Sequence, residues 1–122
     1  MKALLKNYHQ APRKIRLVAD LIRGKSVRDA RARLLFLDKK ASLPMRKLLE
    51  SAVANARQSG KDAEHLAVWR ISVDKGRVAV RSRPFARGRS GKIRKTMSII
   101  SIELAAQSQQ TENSKQKKEK KA

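Results

Sequence analysis

The stretch Lys75-Gly76-Arg77-Val78-Ala79-Val80-Arg81-Ser82-Arg83-Pro84-Phe85-Ala86-Arg87-Gly88-Arg89-Ser90-Gly91-Lys92-Ile93-Arg94-Lys95 holds nine Lys or Arg among 21 residues and no Asp or Glu. Asp74 closes it on one side, and the next acid is Glu103. An apolar alternating run, Leu66 to Val73, leads in, and another, Met97 to Leu104, leads out. Two strand-like arms around a basic middle marked by Pro and Gly predict a long β-hairpin. No small core can bury nine like charges, so the hairpin must point away from the body. Arms of about ten residues at about 3.3 Å each give a reach of roughly 30 Å. Pro84 interrupts ladder hydrogen bonding and marks the tip or a kink, while Gly76, Gly88 and Gly91 permit turns, bulges or close backbone approach. An isolated two-stranded ribbon is marginal in water. Its outer half is therefore expected to be mobile in the free protein and ordered by a partner.

Outward from the hairpin, the rest of the chain supplies the body. Residues 2 to 9 read as a short strand. Pro12 suits the first turn of a helix that carries Ile15, Val18, Ala19 and Ile22 at helical spacing and stops at Gly24. Arg13, Lys14, Arg16 and Arg23 occupy much of its remaining surface. Ser26-Val27-Arg28-Asp29 resembles a capping box opening a second helix, with Val27, Ala30, Leu34 and Leu37 inward. A third helix is capped by Ser42, has Pro44 in its first turn and repeats Met45, Leu48, Leu49, Ala52, Val53 and Ala56 up to Gly60. In the exit arm the phase shifts at Ile99-Ile100, which predicts either a bulge or a strand covered on both faces. The expected fold is α+β: a small antiparallel three-stranded sheet packed on three helices, with a long protruding basic β-hairpin. Residues 1–104 form the domain. From Ala105 no large apolar residue remains, so residues 105–122 are expected to be a disordered Lys-rich tail.

The net charge is +21 over 122 residues. Positions 1–104 alone carry 26 basic and 8 acidic residues, a balance of +18, so the tail is not the source of the charge. Charge of this size attracts polyanions, nucleic acid first and an anionic membrane second. With 3% aromatic residues the chain does not suit a base-stacking sheet platform. No amphipathic helix is expected to set large exposed apolar groups opposite a basic side, which weakens the membrane reading. There is no cysteine, hence no thiol chemistry. The N-terminus lacks a signal-peptide apolar segment, and no run approaches a membrane span. A cytoplasmic protein is the default.

Catalysis finds little to stand on. His9 and His65 lie far apart in sequence, and the acids are scattered singly, so neither a metal cluster nor a general acid–base pair forms. Gly60-Lys61 and Gly91-Lys92 do not make phosphate loops. Asn55 and Ala86 stand where the first loop glycine belongs, and Asp62 and Ile93 where the magnesium-binding hydroxyl belongs. No enzymatic role, cofactor or metal is expected. The candidate nucleic-acid contacts are Arg13, Lys14, Arg16, Arg23 and Lys25 on the first helix and its exit. On the hairpin they are Lys75, Arg77, Arg81, Arg83, Arg87, Arg89, Lys92, Arg94 and Lys95. Six of the hairpin's nine are arginines, which bind phosphate bidentately and stack on bases.

Charge and hairpin suit two classes of protein: an rRNA-binding component, and a DNA-bending architectural protein with basic β-arms and a proline wedge near each tip. The second class works as dimers on duplex DNA.

The flanking motifs separate them. Ala11-Pro12-Arg13-Lys14-Ile15-Arg16-Leu17-Val18-Ala19-Asp20-Leu21-Ile22-Arg23-Gly24-Lys25 resembles the first-helix signature of the bacterial large-subunit ribosomal protein L-twenty-two family. Leu49-Glu50-Ser51-Ala52-Val53-Ala54-Asn55-Ala56 resembles its third-helix signature. Val73-Asp74-Lys75-Gly76 and Arg83-Pro84-Phe85-Ala86-Arg87-Gly88-Arg89 resemble its hairpin opening and tip. Lys75, Phe85 and Ile99 depart from the residues usual in the family. The resemblance covers about residues 3 to 104. It implies a structural constituent of the large ribosomal subunit, monomeric within the ribosome and aiding its assembly. Its partners would be large-subunit rRNA, neighbouring large-subunit ribosomal proteins and the nascent polypeptide, with no membrane. It further implies that the hairpin runs beside the peptide exit tunnel. The tunnel-lining tip would then be Ala79, Val80, Arg81, Ser82, Arg83, Pro84, Phe85, Ala86, Arg87 and Gly88.

Overall fold

The apolar exit arm becomes the middle of the sheet. In a computed structural model, which describes residues 1–61 and 65–106, the order is β1 (Lys2–Tyr8), α1 (Pro12–Ile22), α2 (Val27–Phe36), α3 (Ser42–Gln58), β2 (Leu66–Pro84) and β3 (Ser90–Ala106). The three strands are antiparallel, in the order β1-β3-β2. β3 therefore has a partner on each side, and Ile100, Ile102 and Leu104 sit at the centre of the core. Ala3 and Leu5 of β1 lie opposite Ile102 and Ile100. Ile71 and Val73 of β2 lie opposite the same two residues. These side chains share one face, against which the helices pack Ile15, Ile22, Met45 and Leu49, all fully buried. Burying one such side chain contributes roughly 1.5–3 kcal/mol.

The local signals explain most of the boundaries. Pro12 opens α1 without a side-chain cap. The Ser26 hydroxyl accepts from the Asp29 N–H at 3.1 Å, so the expected cap of α2 is present. Gly60 is left-handed (φ +71) and closes α3. Its N–H donates to the Arg57 carbonyl and that of Lys61 to the Ala56 carbonyl, which satisfies the last turn. Ser42, expected as the cap of α3, is instead its first residue. Ala41 holds the cap position in a helical conformation, with no side-chain bond. The reason lies in the turn before it. The Ser42 N–H already donates to the Lys39 carbonyl, so the chain enters the helix through a tight turn.

Three further expectations are corrected. The alternation of β3 itself holds from Ser98 to Leu104, and the irregularity foreseen at Ile99-Ile100 lies in its pairing with β1, whose register shifts between Leu5–Ile100 and Tyr8–Ser98. Ile99 simply faces the other side of the sheet. On the other side of β3, β2 shifts register twice, between Val68 and Arg70 and again where Gly76 and Arg77 stand between the pairs Lys75–Ser98 and Val78–Thr96, opposite Met97 alone. A Cβ on Gly76 would lie 3.3 Å from both the Ile99 side chain and the Met97 carbonyl oxygen, so glycine suits this close approach. β3 also runs on to Ala106, two residues past the expected end of the arm, pairing Ala105 with Ala67 and Ala106 with Leu66. Residues 107–122 of the expected tail lie outside the described residues. Finally, the body carries more apolar surface than foreseen: Leu17, Leu35, Phe36 and Leu43 are each more than half exposed. Among the described residues no helix is long and apolar enough to cross a membrane.

The buried core ends at the base of the hairpin, since the residues from Val80 to Ser90 are all exposed. Deleting Val80 to Gly88 is therefore expected to leave a single cooperative unfolding transition, measured by thermal circular dichroism. Ile102→Ala should lower stability by about 2–5 kcal/mol in denaturant titration, and a loss under 1 kcal/mol would show that β3 is not central to the core.

Candidate nucleic-acid interface

Beyond the Gly76-Arg77 bulge the two arms pair without interruption from Val78–Thr96 to Pro84–Ser90. The tip is the short reversal Phe85 to Arg89. The Phe85 N–H donates to the Arg89 carbonyl at 2.7 Å, and Ala86–Gly88 forms one tight helical turn. Arg87 and Gly88 are both left-handed, at φ 59 and φ 67. Phe85 folds back over β3, its ring edge occupying the space that a Cβ on Gly91 would need. The residue remains 59% exposed.

The register spaces the cations. The outer cross-strand pairs are Val78–Thr96, Ala79–Lys95, Val80–Arg94, Arg81–Ile93, Ser82–Lys92, Arg83–Gly91 and Pro84–Ser90. No cation stands directly opposite another. Arg81, Arg83 and Lys95 project from one face of the ribbon, and Lys92 and Arg94 from the other, because side chains alternate along a strand. Arg87 and Arg89 sit at the tip. Lys75 lies below the bulge and Arg77 within it. No carboxylate among the described residues answers them. The ion pairs among the described residues all lie in the body: Lys2–Glu103 at 3.4 Å, Arg23–Asp20 at 2.6 Å and Arg46–Glu50 at 3.9 Å. The hairpin thus presents a solvent-facing array of donors on both faces, the arrangement needed to sit between two phosphate backbones.

The cations of α1 divide into two groups. Arg16 donates from Nε and Nη2 to the Val73 carbonyl at 3.2 and 3.0 Å. Arg23, one heptad on, leans on the Ile71 carbonyl at 3.4 Å and pairs with Asp20. β2 is an edge strand, and these carbonyls belong to its open side. The same edge continues at Val68, whose N–H donates to the Lys25 carbonyl at 2.9 Å and whose carbonyl accepts from the Gly24 N–H at 3.0 Å. So Arg16 and Arg23, expected as phosphate ligands, spend part of their donor capacity sealing the sheet beside the hairpin base. A guanidinium has five N–H donors, so both keep others for a partner. Lys14 instead lines a separate groove with Leu17, Leu37 and Lys40. Arg13 and Lys25 are exposed. Opposite Lys75, the fully buried Ser98 hydroxyl donates to the Gln10 carbonyl, tying the other strand of the hairpin base to the start of α1.

Sequence reasoning passed over the cations of α2, Arg28, Arg31 and Arg33, all exposed. Their spacing on one short helix was the available signal.

Comparison with known proteins agrees with the architecture. The family described as ribosomal protein L22p/L17e matches residues 3–105. Among curated relatives, the large ribosomal subunit protein uL22 of Neorickettsia sennetsu is 47% identical over 105 residues, covering 85% of this chain and 93% of its own length. That of Pelobacter propionicus is 47% identical over 104 residues, covering 84% and 94%. That of Geobacter sulfurreducens is 49% identical over 96 residues, covering 78% and 86%.

Arg16→Lys keeps the charge but loses the paired bond to Val73. It should cost about 1 kcal/mol of stability in denaturant titration, and an unchanged midpoint would show that Arg16 does not seal the edge of β2.

Proposed function

The chain belongs to the ribosomal protein L22p/L17e family, and from that premise we propose how it serves as a structural constituent of the large ribosomal subunit. The hairpin is its principal rRNA-binding element. Nine cations on a ribbon about 4.8 Å wide between strands, with no acid from Lys75 to Lys95, are suited to thread between RNA helices whose phosphates repel one another. Arg77, Arg81, Arg83, Arg87, Arg89, Lys92, Arg94 and Lys95 supply the contacts, with Lys75 at the base. Arg13, Lys14, Arg16, Arg23 and Lys25 extend the contact over α1. By neutralising and clamping rRNA segments the chain aids assembly of the subunit. Ordering the hairpin costs conformational entropy, which many charge-assisted hydrogen bonds offset.

The tip from Ala79 to Gly88 has a second role on this reading: it lines the exit tunnel and faces the nascent polypeptide. The body, residues 1–104, meets rRNA and neighbouring proteins of the large subunit, and the chain works there in the cytoplasm as a monomer. The unanswered charge of the hairpin is the observation that carries the RNA reading. The rival DNA-bending protein has no support in the matches to known proteins.

Binding to large-subunit rRNA should weaken steeply with salt. Each neutralised phosphate contributes about 0.7–0.9 to the log–log slope, so a slope of about −4 or steeper is expected, and Arg83→Gln should make it shallower by nearly one unit. The chain should also co-sediment with large subunits at low salt, as sedimentation measures. An affinity independent of salt, or a dimer that prefers distorted duplex DNA, would reverse the reading.

A further inference from the structure

Between α2, the end of α3 and the entry to β2 lies an open groove of about 640 Å³. Val27 and Val53, both buried, form its base, and the 62% exposed Leu35 stands beside them. Arg28, Arg31 and Ala32 from α2, Arg57 from α3 and His65 just before β2 complete the lining, all five exposed. The groove lies apart from α1 and the hairpin.

Helix stability explains only part of this lining. Arg57 sits in the last turn of α3, where a cation complements the helix dipole. Arg28 is in the first turn of α2, where the dipole disfavours positive charge, and Arg31 lies in the next turn, where the dipole neither favours nor opposes it. Neither forms an ion pair with a described carboxylate. Three guanidiniums around an apolar base therefore call for a ligand that is anionic at one end and flat and apolar at another. A volume of this size is ordinary for a small-molecule site and holds one nucleotide.

We propose that the groove takes a single unstacked nucleotide of rRNA, a site that deepens the rRNA-binding reading above and rests on it. The base lies on Val27, Val53 and Leu35, with the His65 ring or an arginine plane against its face. Arg28, Arg31 and Arg57 hold the flanking phosphates. A paired base is not available for such insertion, so the groove selects single-stranded over duplex RNA. The hairpin's array of charges has no comparable reason to choose between them.

The test uses the full chain, a labelled single-stranded RNA oligonucleotide of mixed sequence, and the same oligonucleotide annealed to its complement. Leu35→Gln preserves charge and alters an exposed residue. It is expected to weaken single-strand binding about fivefold, by exchanging an apolar contact with the base for a polar side chain, and to leave duplex binding unchanged. Arg28→Gln with Arg31→Gln should weaken both and make the salt slope shallower by about one and a half units. Ultraviolet cross-links from the single strand should map to His65 or α2. If Leu35→Gln binds both RNAs like the native chain and cross-links map only to α1 and the hairpin, the groove site is overturned while the rRNA reading stands. If the native chain binds neither RNA, the rRNA reading falls and the groove with it.

Discussion

Repulsion among the cations of the hairpin, which no described carboxylate relieves, is the constraint around which the molecule is built. Two unit charges about 5 Å apart repel by roughly 0.8 kcal/mol even in bulk water. A ribbon with facing cations would accumulate several such terms, against a two-stranded ladder that is only marginally stable by itself. The register avoids this by setting each charged residue opposite Ala, Val, Ile, Ser or Gly. Val80 and Ile93 remain half-exposed as a result. They are not core residues that failed to find a core. They are the uncharged partners that let Arg94 and Arg81 share a ladder.

The same constraint explains why so much of the body is devoted to the base of the ribbon. An arm that gains little from its own contacts needs firm anchorage where it leaves the core. Both strands of the base are tied to α1. Arg16 and Arg23 cover the open edge of β2 at Val73 and Ile71, and Ser98 of β3 reaches the Gln10 carbonyl. The next residues outward, Gly76 and Arg77, form the bulge, where a strand bends and twists more strongly. Direction is therefore set in one short segment: two strands held, then one extra residue that aims the arm.

Legibility in the sequence followed how local each determinant was. The helices could be read because Ile15, Val18 and Ile22, or Met45, Leu49 and Ala52, repeat with the helical period, and Ser26 and Gly60 bond within their own turns. The hairpin could be read from the alternating apolar arms, Leu66 to Val73 and Met97 to Leu104, around a basic middle marked by Pro84 and glycines. What could not be read depends on partners distant in the chain. The bulge was sought in β3 at Ile99-Ile100 because two apolar neighbours break a one-sided pattern, but the extra residues are on its partners, in β1 between Leu5 and Tyr8 and in β2 at Gly76 and Arg77. The role of Arg16 depends on β2 being an edge strand, which no property of α1 reveals. The groove cations of α2 and α3 lie more than 25 residues apart and meet only through packing.

The tip shows how far this logic extends. Phe85 is the one aromatic residue on the hairpin, and its ring lies across Gly91, where any side chain would displace it. The contact buries little, since more than half of Phe85 stays exposed. Its consequence is geometric. With a ring edge held against the backbone at Gly91, the rest of the ring stays exposed beside the left-handed turn at Arg87 and Gly88. A flat apolar face next to two guanidiniums is a surface that can meet either a base or a passing peptide. The charged arms, by contrast, are suited above all to phosphate. The chemistry of the hairpin thus changes along its length, from charge at the arms to mixed character at the end, and the small residue at position 91 makes that change possible.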